Sequence, residues 1–98
     1  MHARVTHISG SPEQAEQGIA SFRDSVVPAI KEMGGHGGIL LINRDSGNAM
    51  AITLWEDEAA MRASEESANE LRRTAAQDMG AAEQPRVDRY EVAVFEKP

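Results

Sequence analysis

At 98 residues the chain has room for one domain, 1–98, and a domain of this size removes only about two-thirds of its unfolded surface from water, so a second copy would supply what one core lacks. A formal charge of -6, with no basic cluster on any one segment to offset it, excludes the phosphate backbone of a nucleic acid as the partner. The absence of cysteine removes disulfides, thiolate metal sites and a Cys nucleophile, while the lack of a basic leader or of any apolar run near ~20 residues sets the expectation of a soluble, cytoplasmic protein with no membrane partner.

In chain order, "ARVTHI" (3–8) is short and rich in β-branched residues and reads as a strand. "SGSPEQ" follows with turn chemistry and a helix start, where Ser11 is the expected cap, Pro12 takes the first helical position and Gln14 can close a capping box. Ala15, Ile19, Phe22, Val26, Ile30 and Met33 recur at spacings of three and four and form one apolar stripe. Pro28 interrupts that stripe, and since it lacks an N–H and pushes Val27 away from helical angles, a kink or break is expected near Val26–Pro28. "ILLIN" (39–43) and "AMAITLW" (49–55) read as two strands joined by "RDSGN", with Gly47 suited to a left-handed position. Asp57 is the expected cap of a second helix, along which Met61, Ser64, Ala68, Leu71, Ala75 and Met79 keep helical spacing until Gly80 and Pro85 stop it. "VDRYEVAVF" (87–95) alternates as a last strand. The order β-α-β-β-α-β predicts an α+β, ferredoxin-like split βαβ-βαβ fold with a four-stranded antiparallel sheet.

"MGGHGG" (33–38) resembles a phosphate-binding glycine loop in composition but has the wrong polarity. Such loops run from a strand into a helix, where free N–H groups and a positive dipole meet the ligand. Here the glycines follow a helix, so Gly34 or Gly35 is read as its C-cap and Gly37–Gly38 as a strand entry or a close backbone approach. His2, His7 and His36 do not assemble a metal set with any second ligand class, so neither a metal nor a nucleotide cofactor is expected. Asn43 and Arg44 read as solvent groups of the hairpin turn, and Arg62, Glu66, Glu70 and Arg73 as a solvated, salt-bridged helix face.

"ILLI" is apolar on both strand faces, and Met50, Ile52 and Leu54 opposite Ala51 and Trp55 repeat the pattern. Helices cover only one face of such a sheet, so a homodimer with its two sheets face to face is expected to cover the other.

The stretches "ARVTHI", "SFRDSVVPAIKEMGGHGG", "LLINRDSGNAMAITLWEDEAAMRASEE" and "VDRYEVAVFE" together resemble the dimeric α+β-barrel superfamily typified by antibiotic biosynthesis monooxygenases, the most specific part being "ITLWEDEAAMRAS". The resemblance implies a ferredoxin-like subunit, a dimer with eight strands in a joint barrel, and a pocket between the helix-covered sheet face and the helices. It implies a cofactor-independent monooxygenase-like protein acting on a small aromatic, polyketide-type substrate. The haem-degrading branch of the superfamily requires an axial histidine on the second helix, and residues 58–79 contain none.

Within that resemblance, three residues are candidates for the pocket. Trp55 can wall an aromatic ligand or cap the core. His7 stands near the position where relatives place a polar pocket residue, and a neutral imidazole there can accept a proton from a phenolic substrate. Tyr90 can present its hydroxyl to the same cavity or pack as core. The rival expectation is a non-enzymatic homodimer that binds a small hydrophobic molecule or is structural, and it is favoured if these three side chains diverge.

Overall fold

The structure is a computed structural model, and it describes residues 1–78 and 85–96. Strands β1 (His2–Ser9), β2 (Gly37–Ile42), β3 (Asn48–Trp55) and β4 (Arg86–Glu91) form one antiparallel sheet in the order β2-β3-β1-β4. Helices α1 (Ala15–Ser21), α2 (Val27–Glu32), α3 (Glu58–Ala63) and α4 (Glu65–Asp78) supply the second layer. This is the ferredoxin-like α+β arrangement expected from the sequence.

The register sorts side chains between the sheet's two faces, because directly paired residues point the same way and neighbours alternate. Pairing of Arg4 with Thr53, Thr6 with Ala51 and Ile8 with Ala49 places these residues on the helix-covered face, with Leu40, Ile42 and Trp55. The main core lies there, formed by Phe22, Val26, Ile30, Trp55 and Met61, with Leu40 and Ala51 packed against it. The opposite face carries Ile39, Leu41, Met50, Ile52 and Leu54, and Leu41 is 50% exposed. The two-sided apolar pattern of β2 and β3 is therefore real, with one side uncovered in a single copy.

The glycine corner is a helix stop. Gly34 adopts φ +89, its N–H donates to Lys31 O (3.1 Å), and Gly35 N–H donates to Ile30 O (2.8 Å), the paired bonds of a Schellman motif. His36 N–H then donates to Leu54 O at 2.8 Å and delivers the chain into β2. The hairpin is as expected, with Gly47 at φ +81 and Asn43 Oδ1 accepting from the N–H groups of Asp45 (3.0 Å) and Ser46 (3.1 Å). Asp57 caps α3 by accepting from Ala60 N–H at 2.8 Å.

Four local expectations are corrected. Ser11 sits at the cap position but its side chain makes no capping bond, because the first turn, Pro12–Gln14, is a 3-10 turn closed by Gln14 N–H to the Ser11 backbone oxygen at 3.1 Å. Val27 stays helical at φ -61, ψ -47, and the helix does not break. Residues Phe22–Val26 form a π-helical segment, and the Val27 N–H donates to Phe22 O, five residues back. That wider turn places Pro28 at the start of α2, where its missing N–H is tolerated. The second helix is cut in two at Ser64 (φ -92, ψ 0), for a reason that lies in β1 and is described below. Finally, β4 stops at Glu91 rather than reaching residue 95, because Glu91 pairs with His2, the first residue of β1. Past that point Val92 N–H donates to Met1 O (2.8 Å), and Val94 and Phe95 are exposed. The expected stop at Gly80 and the stripe positions Leu71, Ala75 and Met79 lie outside the described side chains.

Candidate functional site

Trp55 ends β3 on the helix-covered face and is fully buried. A large indole fits there because Phe22, Val26, Ile30 and Met61 surround it, and its one polar atom is satisfied, Nε1 donating to Thr53 Oγ1 at 3.0 Å. The strand's period of two brings Thr53 and Trp55 to the same face.

Arg4 stands opposite Thr53 on β1 and is only 2% exposed. Its guanidinium lies over the Trp55 ring, 5.3 Å from the centroid, within cation–π range. Nη2 donates to Met61 O at 2.7 Å and to Ser64 Oγ at 3.1 Å, and lies 3.3 Å from Glu65 Oε1. The Ser64 hydroxyl also donates to Met61 O, at 2.7 Å. In an unbroken helix that carbonyl would accept from the N–H of residue 65. The arginine and the serine occupy it instead, and the helix is interrupted between α3 and α4. Nε and Nη1 of Arg4 are buried with no hydrogen-bond partner.

Burial lowers the pKa of Arg4, and the charge and hydrogen-bonding of Glu65 oppose that shift. Glu65 is held below the usual carboxylate range, chiefly by its hydrogen bond from Arg89 Nε (2.7 Å); burial opposes this, and the charges of Arg4 and Arg89 add to the lowering.

The three residues singled out from the sequence do not meet. His7 is on the helix-free face, half-buried, with Nε2 3.1 Å from Asp88 Oδ2, and it lines a cleft of about 440 Å³ with Leu41, Ile42, Met50 and the hairpin residues Asn43 and Asn48. Tyr90, paired with Ala3, shares the parity of His7 and is exposed. It lines a second cleft, of about 610 Å³, between α3 and the β4 edge. Trp55 lines neither of these clefts. The physical reason is parity: positions 7 and 90 point away from the helices, whereas 4 and 55 point toward them.

Sequence reasoning missed Arg4. Its signal was available, since Arg4 has the same parity along β1 as Ile8, so a charged side chain was aimed at the side the helices cover. Among the described residues, no group of three or more His, Cys, Asp or Glu is placed to hold a metal ion, and no helix is long and apolar enough to cross a membrane.

No family model matches the chain. Two uncharacterised proteins of Mycobacterium tuberculosis strain H37Rv are similar in sequence: Rv2557, 37% identical over 98 residues, and Rv2558, 38% identical over 99 residues, each match covering 99% of this chain. The chain spans less than half the length of these curated relatives, 43% and 41%. Among solved structures, the ActVA-Orf6 monooxygenase of Streptomyces coelicolor, in complex with nanaomycin D, superposes with a TM-score of 0.76 at 20% identity, over 99% of this chain and 91% of that one. A candidate antibiotic biosynthesis monooxygenase from Deinococcus radiodurans gives 0.72 at 14% identity, over 100% and 98%. A dimeric ferredoxin-like protein from an uncultured marine organism gives 0.69 at 8% identity, over 99% and 92%. The chain has the fold of the antibiotic biosynthesis monooxygenase-like superfamily.

Proposed function

We propose that the chain acts as a homodimer that takes up a small aromatic, polyketide-type molecule between sheet and helices and oxygenates it without a cofactor. The observation that carries this reading is the Trp55–Arg4 pair: an indole sealed from water with a cation 5.3 Å above its ring, inside the helix-covered layer of this fold. Such chemistry needs a dry aromatic wall and stabilisation of an electron-rich anion, because the substrate itself reduces dioxygen. For an anthrone-type methylene the balance is CH2 plus O2 giving C=O plus H2O, with both electron pairs supplied by the substrate. The helix-free face, with Ile39, Leu41, Met50, Ile52 and Leu54, is the surface we assign to the second copy.

A second reading is favoured by one observation, the separation of His7 and Tyr90 from Trp55 onto the other side of the sheet. It holds that the homodimer binds a hydrophobic molecule, or is structural, without catalysis. Oxygen uptake by purified protein with an anthrone-type phenol, without added metal or flavin, separates the two. His7 lies across the sheet from the proposed uptake site, so turnover in His7→Ala is expected to match the wild type. Turnover unchanged in that variant removes His7 from the mechanism, and ligand binding without oxygen uptake establishes the second reading.

A further inference from the structure

We propose that residues 92–95, the apolar run that follows β4, pair antiparallel with β2 of a second copy, so that each subunit's arm covers the other's outer strand and brings Phe95 against its helix-covered layer. β2 and β4 are the outer strands of the described sheet. β2 reads "GGILLI", with none of the charges or prolines that keep an outer strand from pairing with another chain. The arm reads "VAVF" between Glu91 and Glu96, and Val94 is 77% and Phe95 58% exposed. The ladder between β4 and β1 has ended at Glu91, so the alternating apolar pattern continues where its own sheet no longer uses it.

Strand direction allows this pairing. β2 is antiparallel to β3 and β3 to β1, so β2 runs parallel to β1, while β4 runs antiparallel to it. Two copies stacked on their helix-free faces and related by an axis along the strands bring β4 of one beside β2 of the other, in antiparallel direction. Backbone polarity agrees. Val92 N–H donates to Met1 O, so Ala93 and Phe95 turn their N–H and C=O groups outward. Asn43 N–H donates to Asn48 O at 2.8 Å, so Ile39 and Leu41 bond toward β3 while Gly38 and Leu40 turn their backbone groups outward. Side chains follow the same parity, Val92 and Val94 on the helix-free face with Ile39 and Leu41. The register that seats the whole arm on β2 sets Val92 opposite Leu41, Ala93 opposite Leu40, Val94 opposite Ile39 and Phe95 opposite Gly38. A shift of two residues either way would set Glu96 against Ile39 or carry Phe95 past the start of β2. This register covers Ile39 and Leu41, which are 40% and 50% exposed in a single copy. It also lays the arm's aromatic ring over a glycine on the side of Trp55, where a Cβ on Gly38 would lie 3.0 Å from Phe22 Cζ. The inference rests on the homodimer proposed above and deepens it: the layer assigned to ligand uptake is completed at its β2 edge, beside Phe22, by Phe95 of the partner subunit.

The chain has no cysteine, so introduced thiols report without background. Two singly substituted proteins are refolded together and oxidised in air, which confines any disulfide between the two kinds to a contact between chains. Val94→Cys with Ile39→Cys, and Val92→Cys with Leu41→Cys, are expected to form the mixed disulfide at least about tenfold faster than the offset pair, Val92→Cys with Ile39→Cys. Facing residues that do not share backbone hydrogen bonds have Cα atoms about 4.5 Å apart, within the span a disulfide needs, and the offset pair does not. Val94→Glu is expected to weaken the dimer at least about tenfold in light scattering on dilution, while the subunit keeps its circular dichroism because position 94 lies outside the core. With the wild type dimeric, mixed disulfides that are absent, or no faster for the facing pairs than for the offset pair, overturn the arm pairing and leave the face-to-face dimer standing. A dimer undiminished in folded Val94→Glu also overturns it. A wild type that is monomeric at micromolar concentration overturns both the arm pairing and the homodimer.

Discussion

At the scale of single residues, Glu65 links the site to pH. Its folded pKa lies below the unfolded value of about 4.3, so its contribution to stability is complete above that value and is lost as pH falls through the folded pKa. Denaturant unfolding at pH 7, 4 and 3 should show the wild type losing stability on acidification, and Glu65→Gln should remove part of that slope while being less stable at pH 7. The glycine corner gives a second test. A Cβ on Gly35 would lie 2.3 Å from Ile30 Cγ2 and 2.9 Å from Ile30 O, so Gly35→Ala is expected to cost about 1–3 kcal/mol by overpacking. Gly34→Ala meets nothing within 4 Å and should cost about 1 kcal/mol, from its positive φ alone. Neither substitution should alter affinity for ATP or NAD, which titration calorimetry would check.

At the scale of elements, patterning was legible and local irregularity was not. The stripe from Ala15 to Met33, the helix stop at Gly34 and the hairpin at Gly47 follow from spacing and backbone chemistry, and each is present. The π-helical segment was hidden because Pro28 announces an interruption without saying how the chain absorbs it. Widening one turn keeps Phe22, Val26 and Ile30 together in the core, which a break would have separated. The length of β4 was hidden for another reason: alternation in "EVAVF" continues past the last residue of β1 able to pair with it. The hairpin also touches a distant element. A Cβ on Gly47 would lie 2.4 Å from the Ser11 carbonyl carbon and 2.5 Å from Pro12 N, both backbone atoms. Gly47→Ala should therefore cost more than Gly34→Ala, with the positive φ and the backbone clash acting together, a ranking that thermal or urea unfolding of the two variants would establish.

At the scale of the whole molecule, the uncovered sheet face is the decisive feature. Leu40 and Leu41 are neighbours in sequence but face opposite sides, the first packed in the core and the second half open to solvent. Leu41→Glu should give a monomer, or a markedly weaker dimer, in light scattering at micromolar concentration, whereas Leu40→Glu should unfold the subunit itself. A wild type that is fully folded and monomeric under those conditions would refute the dimer. The candidate site was only half legible at this scale. Trp55 stands out by residue type, but Arg4 takes its meaning from Met61 and Ser64, 57 and 60 residues away, which no local pattern connects.

That long-range hydrogen bond has a consequence for the order of assembly. The boundary between α3 and α4 is imposed by a guanidinium delivered from β1, so it exists only once β1 has docked. Before then, the Met61 carbonyl is free to accept from the next turn, and the segment from Asp57 onward is able to form one uninterrupted helix. The native chain would thus interrupt this helix when β1 docks. A synthetic peptide of residues 57–78 in a helix-promoting solvent should show continuous helical chemical shifts through Ser64, while the same nucleus in the intact protein should depart from them.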